Sequence, residues 1–290
     1  MPKIGIVTDS IACIPEPLMD ELNIQWVPYY IHRDDLTLRD RVTARCEDFY
    51  GWMLGAEKVP TTANPAPGEY LSKYLQLARG GVTEIASIHV SSKASGAVGA
   101  ASAAKEMLAE KFPKVKVEVL DTLNVQMSQG WMAIEAARAA LDGATLSEIV
   151  EIVKKMVPVT RMIQTADTLK YLYLGGRIGG AKHLVASVLD IKPIISMEDG
   201  LITALGQART TKKVYRLMVN KLEQAVGQSA VKIAYVHAAA QGEAEKLKAL
   251  VDQRVEVVES IITDLAPALG VHTGPGTVGF CYYPVPDSGL

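Results

Sequence analysis

Ile85-Ala86-Ser87-Ile88-His89-Val90-Ser91-Ser92-Lys93-Ala94-Ser95-Gly96 decides how the rest of the chain is read. Its first half is an apolar run short enough for a strand buried on both faces, as parallel sheets require. Its second half breaks into Ser91, Ser92, Ser95 and Gly96, and an Ala-rich segment follows with helical spacing at Ala100, Ala101, Ala104 and Leu108. Strand, hydroxyl-rich loop and helix start form the place where open α/β sheets hold small ligands, at the carboxyl ends of strands. The free N–H groups and positive dipole of a helix start favour an anionic guest. A plainer reading, in which the serines only cap the helix, fits the same residues.

Working outward, the same grammar repeats. Ile4 to Thr8 is an apolar strand ending in Thr8-Asp9-Ser10, and Ile24 to Ile31 is predicted as a second strand. A helix is expected from Thr43, carrying Phe49, Trp52 and Met53. Pro60, Pro65 and Pro67 fix the backbone of a loop that holds the hydroxyls of Thr61 and Thr62 still. Gly68 to Arg79 has apolar residues at helical spacing, and Val115 to Leu120 is a strand closed by Asp121-Thr122. A helix from about Val125 ends at Gly143, and Thr145-Leu146-Ser147-Glu148 is a capping box for the next. Strands alternating with helices imply a parallel sheet covered on both faces.

After Val159 the pattern changes. Ile191 to Met197 and Leu201 to Leu205 flank Glu198-Asp199-Gly200, a hairpin signal. A helix over 210–225, a strand over 231–237, a helix over 241–253 and strands over 255–262 and 277–283 complete the chain. The expected fold class is α/β: an N-terminal parallel-sheet α/β/α domain over 1–160, then a C-terminal mixed, partly antiparallel α/β domain over 161–290. The ligand is expected between them.

Composition narrows the function. The 290 residues are 49% hydrophobic and 21% charged, which is ordinary globular material. A net charge of −2 argues against a nucleic-acid partner. Cys13, Cys46 and Cys281 show no metal or disulfide spacing and suit a reducing compartment. Met1-Pro2-Lys3 leads straight into a strand, and no apolar run reaches spanning length, so a soluble cytoplasmic protein with no membrane span is expected.

Chemical motifs are sparse. Leu174-Gly175-Gly176-Arg177-Ile178-Gly179-Gly180-Ala181-Lys182 fails as a phosphate loop, because Ala181, Lys182 and His183 replace the required Lys and Ser or Thr. The glycines read as a tight turn that Arg177 ties to a neighbour. No nucleophile elbow and no metal-ligand cluster occurs. His89 and His237 lie in apolar strands as core residues, and His32 and His183 have no local partner for chemistry. His272 stands in Val271-His272-Thr273-Gly274-Pro275-Gly276, a rigid turn that can present an imidazole to a cleft. A structural turn histidine fits as well.

Taken in order, Thr8-Asp9-Ser10, Pro60-Thr61-Thr62, Ser91-Ser92 with Ser95-Gly96, Gly175-Gly176-Arg177, Ile191-Lys192-Pro193, Asp199-Gly200, Arg209 and His272-Thr273-Gly274-Pro275-Gly276 resemble DegV proteins. These are the fatty-acid-binding subunits of bacterial fatty acid kinase. The resemblance spans residues 4 to 283. It implies a carrier that buries one long-chain fatty acid, such as palmitate, stearate or oleate, between its two domains. The carrier presents the carboxyl group to a separate ATP-dependent kinase subunit, which makes acyl phosphate for phospholipid synthesis. The resemblance also implies no catalytic residue, metal or cofactor, and at most transient membrane contact. By motif match Thr61, Thr62, Ser92, Ser95 and His272 would hold the carboxylate, with Ser91, Gly96 and Arg177 in support and Arg209 facing the kinase. Where the family often has Ser-Gln-Pro-Ser after the Thr pair and Thr after Ser-Gly, this chain has Ala63-Asn64-Pro65-Ala66 and Ala97.

Simple energetics agree with a carrier. About fifteen buried methylenes contribute on the order of 12 kcal/mol gross, enough to hold an acid without a strong ion pair. The carboxylate still needs hydrogen-bond donors, which hydroxyls, helix-start N–H groups and an imidazole can supply. The competing readings are a hydrolase or phosphotransferase using Ser92 or His272 in the same cleft, and a binder of small anions.

Overall fold

The computed structural model describes residues 3–182 and 191–285. The residue His183 therefore lies outside the described residues. Elements are numbered in chain order. β1 (Ile4–Asp9) passes through a single 3-10 turn (Ser10–Ala12) and α1 (Glu16–Glu21) into β2 (Ile24–Val27), which runs parallel to β1. The single strand expected over 24–31 is two. Pro28 has no N–H to continue the ladder, and Tyr30–Arg33 forms β3 of a different, antiparallel sheet. That sheet has the order β4-β3-β5, with β4 at Leu36–Arg39 and β5 at Thr61–Ala63. The proline-held loop expected at Thr61 and Thr62 is thus a short strand. Helix α2 spans Cys46–Leu54 and starts after Thr43, whose hydroxyl instead accepts the Arg39 N–H at 2.8 Å.

α3 (Pro67–Arg79) leads to β6 (Glu84–His89), whose residues from Ile85 onward are all buried, as the apolar run predicts. α4 (Ala97–Lys111) turns Ala100, Ala101, Ala104 and Leu108 to the core. β7 (Lys116–Asp121) completes a parallel sheet of order β2-β1-β6-β7. α5 (Met127–Leu141) follows, then α6 (Leu146–Met156), with the Thr145–Glu148 capping box in place.

The mixed sheet opens with β8 (Arg161–Thr165), a short strand the hydrophobic pattern did not mark. α7 (Lys170–Leu174), β9 (Lys192–Glu198), β10 (Leu201–Ala208), α8 (Thr211–Val226) and β11 (Val231–His237) come next. α9 (Gln241–Val251), β12 (Val257–Asp264), α10 (Pro267–Thr273) and β13 (Val278–Pro284) finish it. The strand order is β10-β9-β8-β13-β11-β12, and only β11 and β12 run parallel. Between β9 and β10, Asp199 and Gly200 both have positive φ, 49° and 80°, as a type I′ hairpin turn needs.

α5 joins the two sheets. It packs on β1 and β6 on one side and on β13 and β8 on the other. Trp131, fully buried at its centre, donates its indole N–H to the Cys281 carbonyl at 3.1 Å. A helix so placed must be apolar nearly all round, which explains its weak amphipathic pattern in the sequence. One continuous apolar core consequently runs from the parallel sheet to Cys281 and Tyr283 of the mixed one.

Candidate functional site

A cavity of about 230 Å³ opens between the two sheets. Its wall is largely apolar, with Ile11, Val90, Met162, Leu172, Met197 and Ile202 contributed by both sheets and the loops beside them. Polar side chains interrupt that wall as bonded pairs. Thr62 Oγ1 and His272 Nε2 are 2.8 Å apart, and Tyr29 OH and Ser95 Oγ are 2.6 Å apart.

Local structure places each group. In β5 alternate side chains point to opposite faces, so Thr62 lines the cavity while its neighbour Thr61 is exposed and lines a separate hollow with His32 and Trp52. Ser95 sits in the turn that follows β6, where Ala94 and Ser95 donate their N–H groups to the Ser91 carbonyl. Ser91 is fully buried and donates its hydroxyl to the Gly200 carbonyl at 2.8 Å, pinning this loop to the β9–β10 turn. Gly200 has no alternative residue there: φ is +80°, and a Cβ would lie 2.5 Å from Ser91 Oγ. Gly96 is the N-cap of α4 and no side chain caps that helix, so the serines do not serve as caps. Ser92 is exposed and lies outside the lining, with its N–H given to Asp121 Oδ1 at 3.2 Å.

His272 stands in the last turn of α10 rather than in a free turn. Gly175 lets the ring approach closely, because a Cβ there would collide with His272 Nδ1. At the other end of α10 the buried Asp40 accepts the Ala268 N–H at 3.0 Å. Burial pushes the Asp40 carboxyl up to about 6, although bonds from Ser10 and Ala268 oppose the rise. Burial pulls His272 down to about 4, and the nearby Arg177 charge acts in the same direction. The imidazole is therefore neutral at pH 7. Burial raises the Tyr29 phenol well above its ordinary value, so it too is neutral and able to donate.

Arg177 lines the cavity and donates to the Gly175 carbonyl at 2.8 Å, a bond within the glycine turn itself rather than to a neighbouring element. Arg177 and Lys93 are the cations among the lining residues. Arg209 is exposed beyond Ala208, at the far end of β10 from the lining residues Leu201 and Ile202.

Sequence reasoning missed Tyr29, Asn64, Gln126 and Gln164, all of which line the cavity. Tyr29 carried one signal, its place just after Pro28 at the end of a strand. The two glutamines carried none.

A second polar array has the look of a nucleophile triad. His89 Nδ1 is 2.9 Å from Asp9 Oδ2, its Nε2 is 2.6 Å from Ser87 Oγ, and Tyr74 donates to the same Ser87 oxygen at 2.7 Å. Ser87 and His89 are 0% exposed and Asp9 1%, and none of the three lines the cavity. This is a satisfied core network. The hydrolase or phosphotransferase alternative rests on Ser92 or His272 in this cleft. His272 Nε2 is engaged by Thr62, and Ser92 is outside. Among the described residues no group of three or more His, Cys, Asp or Glu could hold a metal ion. No helix among them is long and apolar enough to cross a membrane.

The model of the family described as "Uncharacterised protein, DegV family" matches residues 3–285. The chain belongs to the DegV family. A DegV domain-containing protein of Clostridium acetobutylicum is 32% identical to this DegV chain over 281 residues, covering 97% of each. Among solved structures, one described as showing fatty acid binding of a DegV family protein from Thermus thermophilus superposes with a TM-score of 0.90. It is 26% identical and covers 98% of this chain and 100% of its own. DegV from Bacillus subtilis, described as a fatty acid binding protein, superposes with a TM-score of 0.86. Its identity is 27%, with 98% of this chain and 100% of its own covered. The α/β architecture, a parallel sheet beside a mixed one, is that of these DegV structures.

Proposed function

We propose that the cavity holds one long-chain fatty acid with its carboxylate at Thr62 and His272, flanked by Tyr29, Ser95 and Arg177. The observation that carries this reading is the hydroxyl–imidazole pair set in an otherwise largely apolar wall. A neutral imidazole has one N–H. With that proton on Nε2 the ring donates to Thr62 Oγ1, and the threonine O–H is released to a ligand. Tyr29 and Ser95 likewise have two O–H groups and need only one for their mutual bond. The site thus offers hydroxyl protons at short range and an arginine charge at longer range, which suits an ionised carboxylate. The fatty-acid-binding relatives support the same reading.

The carrier presents that carboxyl group to a separate ATP-dependent kinase, which forms acyl phosphate. Arg209 meets the kinase, since an exposed arginine can pair bidentately with a partner carboxylate. Residues 1–160 and 161–290 serve as the two halves that enclose the ligand. The test is extraction of protein purified without detergent, followed by mass spectrometry. One equivalent of long-chain fatty acid is expected. Protein that carries none and also refuses added oleate and palmitate would end this reading.

A further inference from the structure

Two buried carboxamides also interrupt the apolar wall. Gln126 lies just before α5 and Gln164 lies on β8, and neither element carries a head-group hydroxyl. Both are 2% exposed and both line the cavity. Gln126 Nε2 donates to Gln164 Oε1, and Cys281 Sγ makes a long contact of 3.8 Å to Gln126 Oε1. Two carboxamides carry four N–H bonds in all. One is used between them, and the other three have no partner among the described residues. A saturated acyl chain lying against them would leave those donors unsatisfied in a dry space, which is unfavourable.

The backbone at Gln126 is a second and independent observation. Its φ of 58° and ψ of −148° fall in a region that residues with a Cβ avoid and glycine occupies. A glycine there would be unstrained, yet the chain keeps a long polar side chain at a strained position and points it at the cavity. Strain of this kind persists where the side chain has a task.

Resting on the fatty-acid reading above, we propose that the cavity takes an acyl chain bearing an oxygen, as a hydroxyl or ketone, at the depth of Gln126 and Gln164. A chain oxygen would accept from the free amide N–H groups, and a hydroxyl could in addition donate to a carboxamide oxygen. Because the amides stand at one fixed depth, only oxygens at one or two neighbouring chain positions would reach them. The preference is positional rather than a general liking for polar lipids.

The test measures dissociation constants for stearate and for a series of monohydroxystearates substituted at successive carbons, on wild type and Gln164→Leu. One positional isomer is expected to bind wild type at least as tightly as stearate and about ten-fold tighter than its distant isomers, the size of one hydrogen bond. Gln164→Leu should erase that discrimination while keeping stearate binding. Gln126→Gly serves as the second variant should Gln164→Leu fail to fold. It relieves the strained backbone, which offsets the lost bond to Gln164, and it should also lose the discrimination. Isomers that all bind wild type more weakly than stearate by one common factor would overturn the proposal, as would variants that keep the preference. Loss of stearate itself in Gln164→Leu would also overturn it, by placing the carboxylate at the amides. Wild type that binds neither stearate nor any isomer would instead remove the fatty-acid reading beneath it.

Discussion

The Thr62 hydroxyl and the His272 imidazole meet at 2.8 Å across 210 positions of chain. β5 supplies one and the last turn of α10 the other, so the pair exists only when the antiparallel edge sheet and the C-terminal helix are packed together. Thr62→Ala or His272→Ala should each weaken fatty acid binding by roughly 1–3 kcal/mol, the cost of leaving a charged acceptor short of a partner. Thr61→Ala should change binding little, because its side chain leaves the strand on the other face. Displacement of a fluorescent fatty acid measures all three. Equal effects at Thr61 and Thr62 would contradict the strand geometry.

His272 and Asp40 hold opposite ends of α10 and should give opposite pH responses. His272 is a base with a folded value of about 4 against an ordinary 6.5. The unfolded chain therefore binds the proton first, and this group's contribution is present above pH 6.5 and lost as pH falls from there towards 4. His272→Gln should flatten that window in a urea-unfolding series.

Asp40 is an acid raised to about 6 from 3.8, so the folded state keeps its proton longer. Its contribution is full below about pH 4 and lost as pH rises through 6. Asn keeps an acceptor for the Ala268 N–H and cannot ionise. Asp40→Asn should thus gain on wild type by on the order of 3 kcal/mol between pH 4 and pH 8. Parallel stability curves for the two proteins across that range would refute the assignment.

Ser87→Ala removes the oxygen shared by Tyr74 and His89 in the buried network. Stability should fall by about 1–3 kcal/mol as two buried polar atoms lose a partner. Fatty acid affinity should stay unchanged, since none of these residues lines the cavity. A variant of normal stability with altered lipid binding would point to a functional role instead.

Arg209→Ala should keep its bound fatty acid and its melting temperature while losing acyl-phosphate formation with the cognate kinase. Excess variant should compete weakly against wild type, because docking itself is lost. Normal kinase turnover would remove the interface assignment and leave the lipid site untouched.

The alternation of strands and helices up to Met156, the β9–β10 hairpin, the capping box at Thr145 and the burial of β6 were all readable in the chain. Each rests on a local rule: period two, period 3.6, or the φ that a turn demands. The split at Pro28 was missed, although a residue without an N–H cannot continue a ladder, and the sheet that β3 then joins left no local signal. What separates Thr61 from Thr62 is the face of a three-residue strand, and that face is set by pairing with Ile31 and His32 thirty positions away. Ser91 and Ser92 differ in the same way: one is pinned beneath Gly200 and the other faces solvent. Tyr29, Gln126 and Gln164 reach the cavity only because two sheets close over it. Hydrophobic periodicity and turn chemistry act over a few residues and so fix the elements. The lining of a cavity is fixed by which faces of distant elements are turned towards one another, and only the packed structure decides that.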